Sequence, residues 1–200
     1  MNMSKISTTK FSTKYLVELA LFVAIILLMA FTPIGYIKTA GLEITLIVVP
    51  VAVGAVTLGP TAGAILGGAF GITSFIQCFG MSAFGAILLE VNPFFTFLVC
   101  VPTRILEGWL TGMIYRGMCK TKLPSAARVT ISNFCCPVLN TVFFMVALVV
   151  LFAGTMRERF GMTQVLPFVA AFVGINGVVE ALACFVLGAT ISVALKKALH

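Results

Sequence analysis

The sequence predicts an all-α integral membrane bundle of about six transmembrane helices, and three observations lead there. Of 200 residues, 60% are hydrophobic and only 10% charged, whereas soluble domains carry roughly 25% charged residues. The apolar residues come in runs suited to crossing a hydrocarbon layer, which takes about 20 of them in a helix. The basic residues gather in short segments between those runs, where topology signals belong. A single membrane domain over residues 1–200 is expected, with no length to spare for a separate catalytic domain.

The first span is expected over 15–31, after a polar, basic segment from Met1 to Lys14. The apolar run itself lacks a small-residue cleavage site, so the span reads as retained. Thr32-Pro33-Ile34-Gly35 ends it, since proline and glycine favour a turn over continued helix. A polar loop with Lys38 and Glu43 follows. A short apolar run, 44–58, is punctuated by Leu58-Gly59-Pro60 and leads into a third, 61–77, with Thr61 in a capping position. These two runs predict a tight helical hairpin. The stretch 78–93 mixes Gly80, Ser82, Gly85, Glu90 and Asn92-Pro93 with apolar residues, and a loop or lid at the membrane surface is expected there.

Further spans are expected over 94–115, 129–153 and 164–195. A basic loop separates the first two, and the turn Gly154 to Arg159 separates the last two. The final run is long for one crossing but has no proline after Pro167, and a tilted or protruding helix accommodates it. With six spans both ends share one side, which collects Lys5, Lys10, Lys14, Arg116, Lys120, Lys122, Arg128, Lys196 and Lys197. The other side holds Lys38, Arg157 and Arg159. This asymmetry puts both termini in the cytoplasm.

Several function classes drop out. The net charge of +7 is explained by topology, and no basic stripe with interleaved aromatics points to nucleic acid. The six cysteines lie mostly inside apolar runs without CxxC spacing, which reads as buried thiols and not as a metal site. No GxxxxGK[ST], HExxH or GxSxG occurs, and the one histidine is His200. No cofactor is expected, and any ATP hydrolysis falls to another polypeptide.

Polar residues inside the spans carry the functional reading. Charge within a span costs several kcal/mol unless it is paired or reaches water, so Arg104 has either a ligand or an internal partner, with Glu107 one turn away. Asn133 and Asn140 share one helix face, as do Asn176 and Glu180. These asparagines serve either as interhelical glue or, with Arg104, Asn140 and Asn176 near mid-span, as walls of a polar site for a small polar or anionic ligand. Ser74, Gln77, Ser82 and Asn92 are placed to close that site. Gly63, Gly67 and Gly71, with Gly68 beside them, leave one helix face almost bare for close packing. Ala20 and Ala24 form a similar, shorter stripe on the first span.

The six-span plan, the Ala20/Ala24 pair, the run from Ile44 to Pro60 (ITLIVVPVAVGAVTLGP), the stretch Gly63 to Gly71 (GAILGGAFG) and Pro102-Thr103-Arg104 together resemble a known family. It is the substrate-binding S component of energy-coupling factor (ECF) transporters, and the resemblance covers most of the chain. It implies a vitamin-capturing subunit of an ABC-type importer in a prokaryotic cell membrane. Such a subunit binds its vitamin outside and docks on a transmembrane coupling protein with two cytoplasmic ATPase subunits. The substrate-binding residues would be Arg104, Asn140, Asn176, Gln77, Ser74 and Asn92, and the coupling-protein contacts Ala20 and Ala24. The helix-two to helix-three segment looks most like the pantothenate members, then the riboflavin ones. A secondary transporter or a membrane-embedded enzyme, independent of ATPases, is the alternative.

Overall fold

The structure, a computed structural model, describes residues 12–32, 35–39, 42–159 and 177–199. Helix α1 (Thr13–Ala30) leads into an antiparallel hairpin, β1 (Tyr36–Thr39) and β2 (Leu42–Thr45). Then follow α2 (Val48–Leu58), α3 (Pro60–Gln77), α4 (Ala83–Val91), α5 (Pro93–Met118) and α6 (Ser125–Arg159). A last helical run, α7, is described over 177–199, and its stretch Cys184–Gly188 winds as a π-helix.

Among the described residues, four helical stretches are long and apolar enough to cross a membrane: Thr13–Ala30, Pro93–Met118, Ser125–Phe152 and Gly177–Leu195. Their outer faces carry exposed Leu16, Val17, Leu28, Val142, Val146, Val150 and Leu182. Such a surface is stable against lipid and unstable against water. The protein is therefore a helical membrane protein.

Helix α2 departs from the expected second span. Ile44 and Thr45 belong to β2, and the 11 helical residues that follow reach only about 16 Å at 1.5 Å per residue. Every residue from Val48 to Val56 is buried. A helix apolar all round belongs in the interior, and α2 forms the centre of the main core with Ile26, Leu66, Phe70, Cys136 and Cys184. Gly59 alone joins α2 to α3, at φ 100°, a left-handed conformation that suits glycine. The helical hairpin is thus present, but its start differs from expectation. Gly59 is the N-cap and Pro60 the first helical residue of α3, so Thr61 caps nothing.

The expected polar loop after α1 is the β-hairpin, in which Lys38 is opposite Glu43 and Tyr36 opposite Thr45. The expected surface loop over 78–93 contains α4. Ser82 Oγ accepts from the Gly85 N–H to cap it. Leu88 then packs with Val99, Met145, Leu148 and Phe152 of α5 and α6. Burial of that apolar face explains why a mixed sequence folds as helix. The expected turn over Gly154 to Arg159 is also helical, as the end of α6.

The bare face of α3 packs where the glycine spacing predicts. A Cβ on Gly63 would strike the Gly108 carbonyl oxygen, and one on Gly67 the Arg104 carbonyl oxygen. On Gly71 it would come within 2.8 Å of the Cys100 oxygen and Val101 Cα. Steps of four on α3 thus meet steps of about four, reversed, on α5, so the two backbones lie in contact and antiparallel. This seam fixes where α5 presents Arg104.

Candidate functional site

Arg104 projects from the middle of α5 and is 7% exposed. Its side chain turns back toward the start of the helix, as long helical side chains do. There Nη1 donates to the Val99 and Cys100 carbonyl oxygens, each at 3.1 Å, and reaches Thr103 Oγ1 at 3.5 Å. The guanidinium lies over the ring of Phe70 at 4.8 Å and that of Phe144 at 5.3 Å, which holds its plane by cation–π attraction. Nε is buried, and among the described residues neither it nor Nη2 has an acceptor, so the Nε–Nη2 edge of the fork is unpartnered there. That edge is one a carboxylate can take with two parallel hydrogen bonds.

The internal ion pair weighed for Arg104 does not form as a direct contact. Glu107 Oε1 accepts instead from Cys136 Sγ at 3.2 Å, while Oε2 is buried without a partner among the described residues. Glu180 of α7 accepts the Thr45 N–H of β2 at 2.8 Å, and the Asn140 side chain lies beside the same carboxyl group. Arg104 is near enough to act electrostatically on both Glu107 and Glu180.

These groups stack in two tiers. The tier nearer the hairpin holds Asn140, Glu180 and Thr45, and the Arg104 guanidinium lies over Phe144, one turn beyond Asn140 on α6. The farther tier holds Glu107, Cys136 and Cys184, with Thr111 one turn beyond. Cys136 precedes Asn140 by one turn on α6, and Cys184 follows Glu180 by one turn on α7, as antiparallel neighbours require. The π-turn at Cys184–Gly188 falls at the farther tier, and such turns recur at functional sites.

The other sequence-predicted residues are placed as follows. Gln77 is buried, and its Nε2 donates to the Ala30 carbonyl oxygen at 2.6 Å, tying α3 to the end of α1. Ser74 is half-buried on the α3 face that carries Phe70, one turn toward the hairpin end. Asn92 caps α5, its Oδ1 accepting from the Phe94 and Phe95 N–H groups at 3.0 and 3.2 Å. Asn176 lies outside the described residues. Asn133 joins α6 to α7 as glue, with Nδ2 3.2 Å from Ser192 Oγ. Ala20 and Ala24 are exposed on the outer face of α1.

Glu180, Thr45 and Cys136 are the site neighbours that sequence reasoning did not single out as binding residues. Glu180 carried a signal, being a carboxyl group inside an apolar run, but its partner Thr45 is 135 residues away. No sequence signal marks Cys136, because a buried thiol is ordinary in an apolar helix.

Comparison with known proteins places the chain in a family. A family model described as the ECF transporter, substrate-specific component, matches residues 14–192. The pantothenate transporter PanT of Leuconostoc mesenteroides is 36% identical over 115 residues, a stretch covering 55% of this chain and 54% of that protein. The chain thus spans about half the length of the curated relative it matches. A family match running from the start of α1 to α7, on a helical membrane fold, is decisive at the level of family. The chain belongs to the substrate-specific components of ECF transporters.

Proposed function

We propose that this chain captures pantothenate outside the cell and delivers it inward, working with a separate transmembrane coupling protein and two cytoplasmic ATPase subunits. One observation carries the choice of ligand: a buried arginine, stacked on the Phe70 and Phe144 rings, whose Nε–Nη2 edge has no partner among the described residues. An unpaired cation inside a membrane bundle calls for an anion, and a pantothenate carboxylate supplies one. The name of the Leuconostoc relative supports the same choice. Riboflavin, the second candidate, has no carboxylate for Arg104.

In this reading the carboxylate docks on Arg104, with Asn140 and Asn176 as polar walls. Ser74 and Gln77 stand at the mouth, on the face of α3 that continues from Phe70. Asn92 acts by fixing the start of α5. The hairpin closes over the bound ligand, held by the Thr45–Glu180 contact. Ala20 and Ala24 meet the coupling protein, and their exposure on α1 supports that role. We count six spans by taking α2 and α3 as the second and third, with both termini cytoplasmic on the charge asymmetry.

Uptake of labelled pantothenate into proteoliposomes tests the assignment. Accumulation should need the chain, the coupling protein and hydrolysable ATP together. Accumulation by the chain alone would favour a secondary transporter.

A further inference from the structure

Glu107 is 0% exposed, yet its Oε2 has no hydrogen-bond partner among the described residues. A buried polar atom left in that state costs enough that native structures nearly always satisfy it. Cys136 occupies the other carboxyl oxygen, and Arg104, Glu180 and Cys184 surround the group without a direct hydrogen bond to it. Arg104 Nε is likewise buried and unpartnered among the described residues, so two unsatisfied groups of opposite character lie near each other in the bundle.

Their separation is informative. The guanidinium sits at the level of Val99 and Cys100. At a rise of 1.5 Å per residue, that level is on the order of 10 Å along α5 from the Glu107 backbone, and the carboxyl group is near enough for Arg104 to act on it electrostatically, so the two groups stand apart within reach of one ligand. A ligand whose acid and polar end lie at opposite ends of an extended chain spans such a distance. A small acid with its hydroxyl on the neighbouring carbon does not. A hydroxyl is the fitting group for Oε2, because it both donates and accepts and so satisfies a carboxyl oxygen in either protonation state.

We propose that Glu107 is a specificity-determining residue, its Oε2 binding a hydroxyl at the end of the ligand remote from the carboxylate. The site then takes extended hydroxylated carboxylates and discriminates against acids of the same skeleton that lack the hydroxyl. This rests on the pantothenate reading, since pantothenate has an acid at one end, hydroxyls at the other and an amide between.

Calorimetric titration of the full chain in detergent compares pantothenate with the analogue in which both hydroxyls are replaced by hydrogen. Wild type should prefer pantothenate by roughly ten- to hundred-fold, the range for one hydrogen bond to a charged or carboxyl group. Glu107→Leu, which keeps the bulk but can neither accept nor donate, should lose most of that preference by weakening pantothenate, while leaving the affinity for the analogue nearly unchanged. The wild-type comparison stands without the variant, should the variant fail to fold. Equal wild-type affinity for the two ligands overturns the proposal and leaves the pantothenate reading intact. An equal loss for both ligands in Glu107→Leu reduces Glu107 to a packing role and also overturns it. Failure of folded wild type to bind pantothenate overturns both readings.

Discussion

The backbone N–H of Thr45 donates to Glu180 Oε1 at 2.8 Å, tying the last residue of the hairpin to a helix near the far end of the chain. The Thr45 side chain engages the same carboxyl group, and Tyr36 at the start of the hairpin is buried in the main core. In the proposed reading, in which the hairpin closes over the ligand, the Thr45–Glu180 contact is the part of its anchorage that lies at the polar cluster, and its loss can open the site without unfolding the bundle.

Removing the acceptor should therefore act on release. A hydrogen bond to a charged group contributes about 1.5–3 kcal/mol, so Glu180→Ala should speed ligand dissociation by at least about ten-fold with little change in association rate. Stopped-flow or filter-retention kinetics on the purified chain measure both. An unchanged dissociation rate would mean that Thr45–Glu180 does not hold the hairpin closed.

Arg104 offers a planar fork already fixed between Phe70 and Phe144. Lysine keeps the charge but lacks the paired donors and the stacking plane. Arg104→Lys should weaken pantothenate by on the order of 10- to 150-fold, the equivalent of one charge-assisted hydrogen bond. Calorimetry, with thermal unfolding as a check on folding, decides this; full affinity in the lysine variant would show that charge alone suffices.

Two adjacent glycines should respond oppositely to alanine. The added methyl of Gly67→Ala would strike the Arg104 carbonyl oxygen, a backbone atom that cannot swing aside, while at Gly68 it would rest 3.6 Å from the Ile105 side chain. Overpacking costs about 1–3 kcal/mol, so Gly67→Ala should lower the unfolding temperature by several degrees and weaken binding by shifting Arg104. Gly68→Ala should be neutral or slightly stabilising, because alanine favours helix. Similar melting of the two variants would remove the α3–α5 seam from the account.

Ala20 and Ala24 lie on the exposed face of α1. Replacing both by phenylalanine should leave folding and pantothenate affinity of the isolated chain nearly unchanged, within about 0.5 kcal/mol. Co-purification with the coupling protein, and uptake, should be lost. Retained assembly would move the docking surface elsewhere.

Much of this architecture is legible in the sequence because its signals are local. The Gly63, Gly67 and Gly71 repeat announces a bare helix face, and Leu58-Gly59-Pro60 announces a one-residue turn between helices. What stayed hidden depends on partners distant in the chain. Residues 36–45 read as a polar loop because two four-residue strands reveal themselves only when paired. Residues 83–91 read as irregular because their helix is stabilised by Leu88 packing on residues of α5 and α6. The run 44–58 read as helix from its first residue, whereas Ile44 and Thr45 belong to β2 and the helix begins at Val48, because an apolar β-branched stretch fits a strand and a helix alike. At the site, Arg104 and Asn140 stood out as polar residues in apolar runs. The fate of Arg104 did not, because the choice between Glu107 and an open edge was decided by where Cys136 of α6 placed its thiol.

Titration of the purified, folded chain with pantothenate in a calorimeter tests the central claim most directly. The account predicts saturable one-to-one binding without any coupling protein or ATPase, and no such binding for riboflavin. Folded protein that shows no heat with pantothenate, or that binds riboflavin instead, would contradict it.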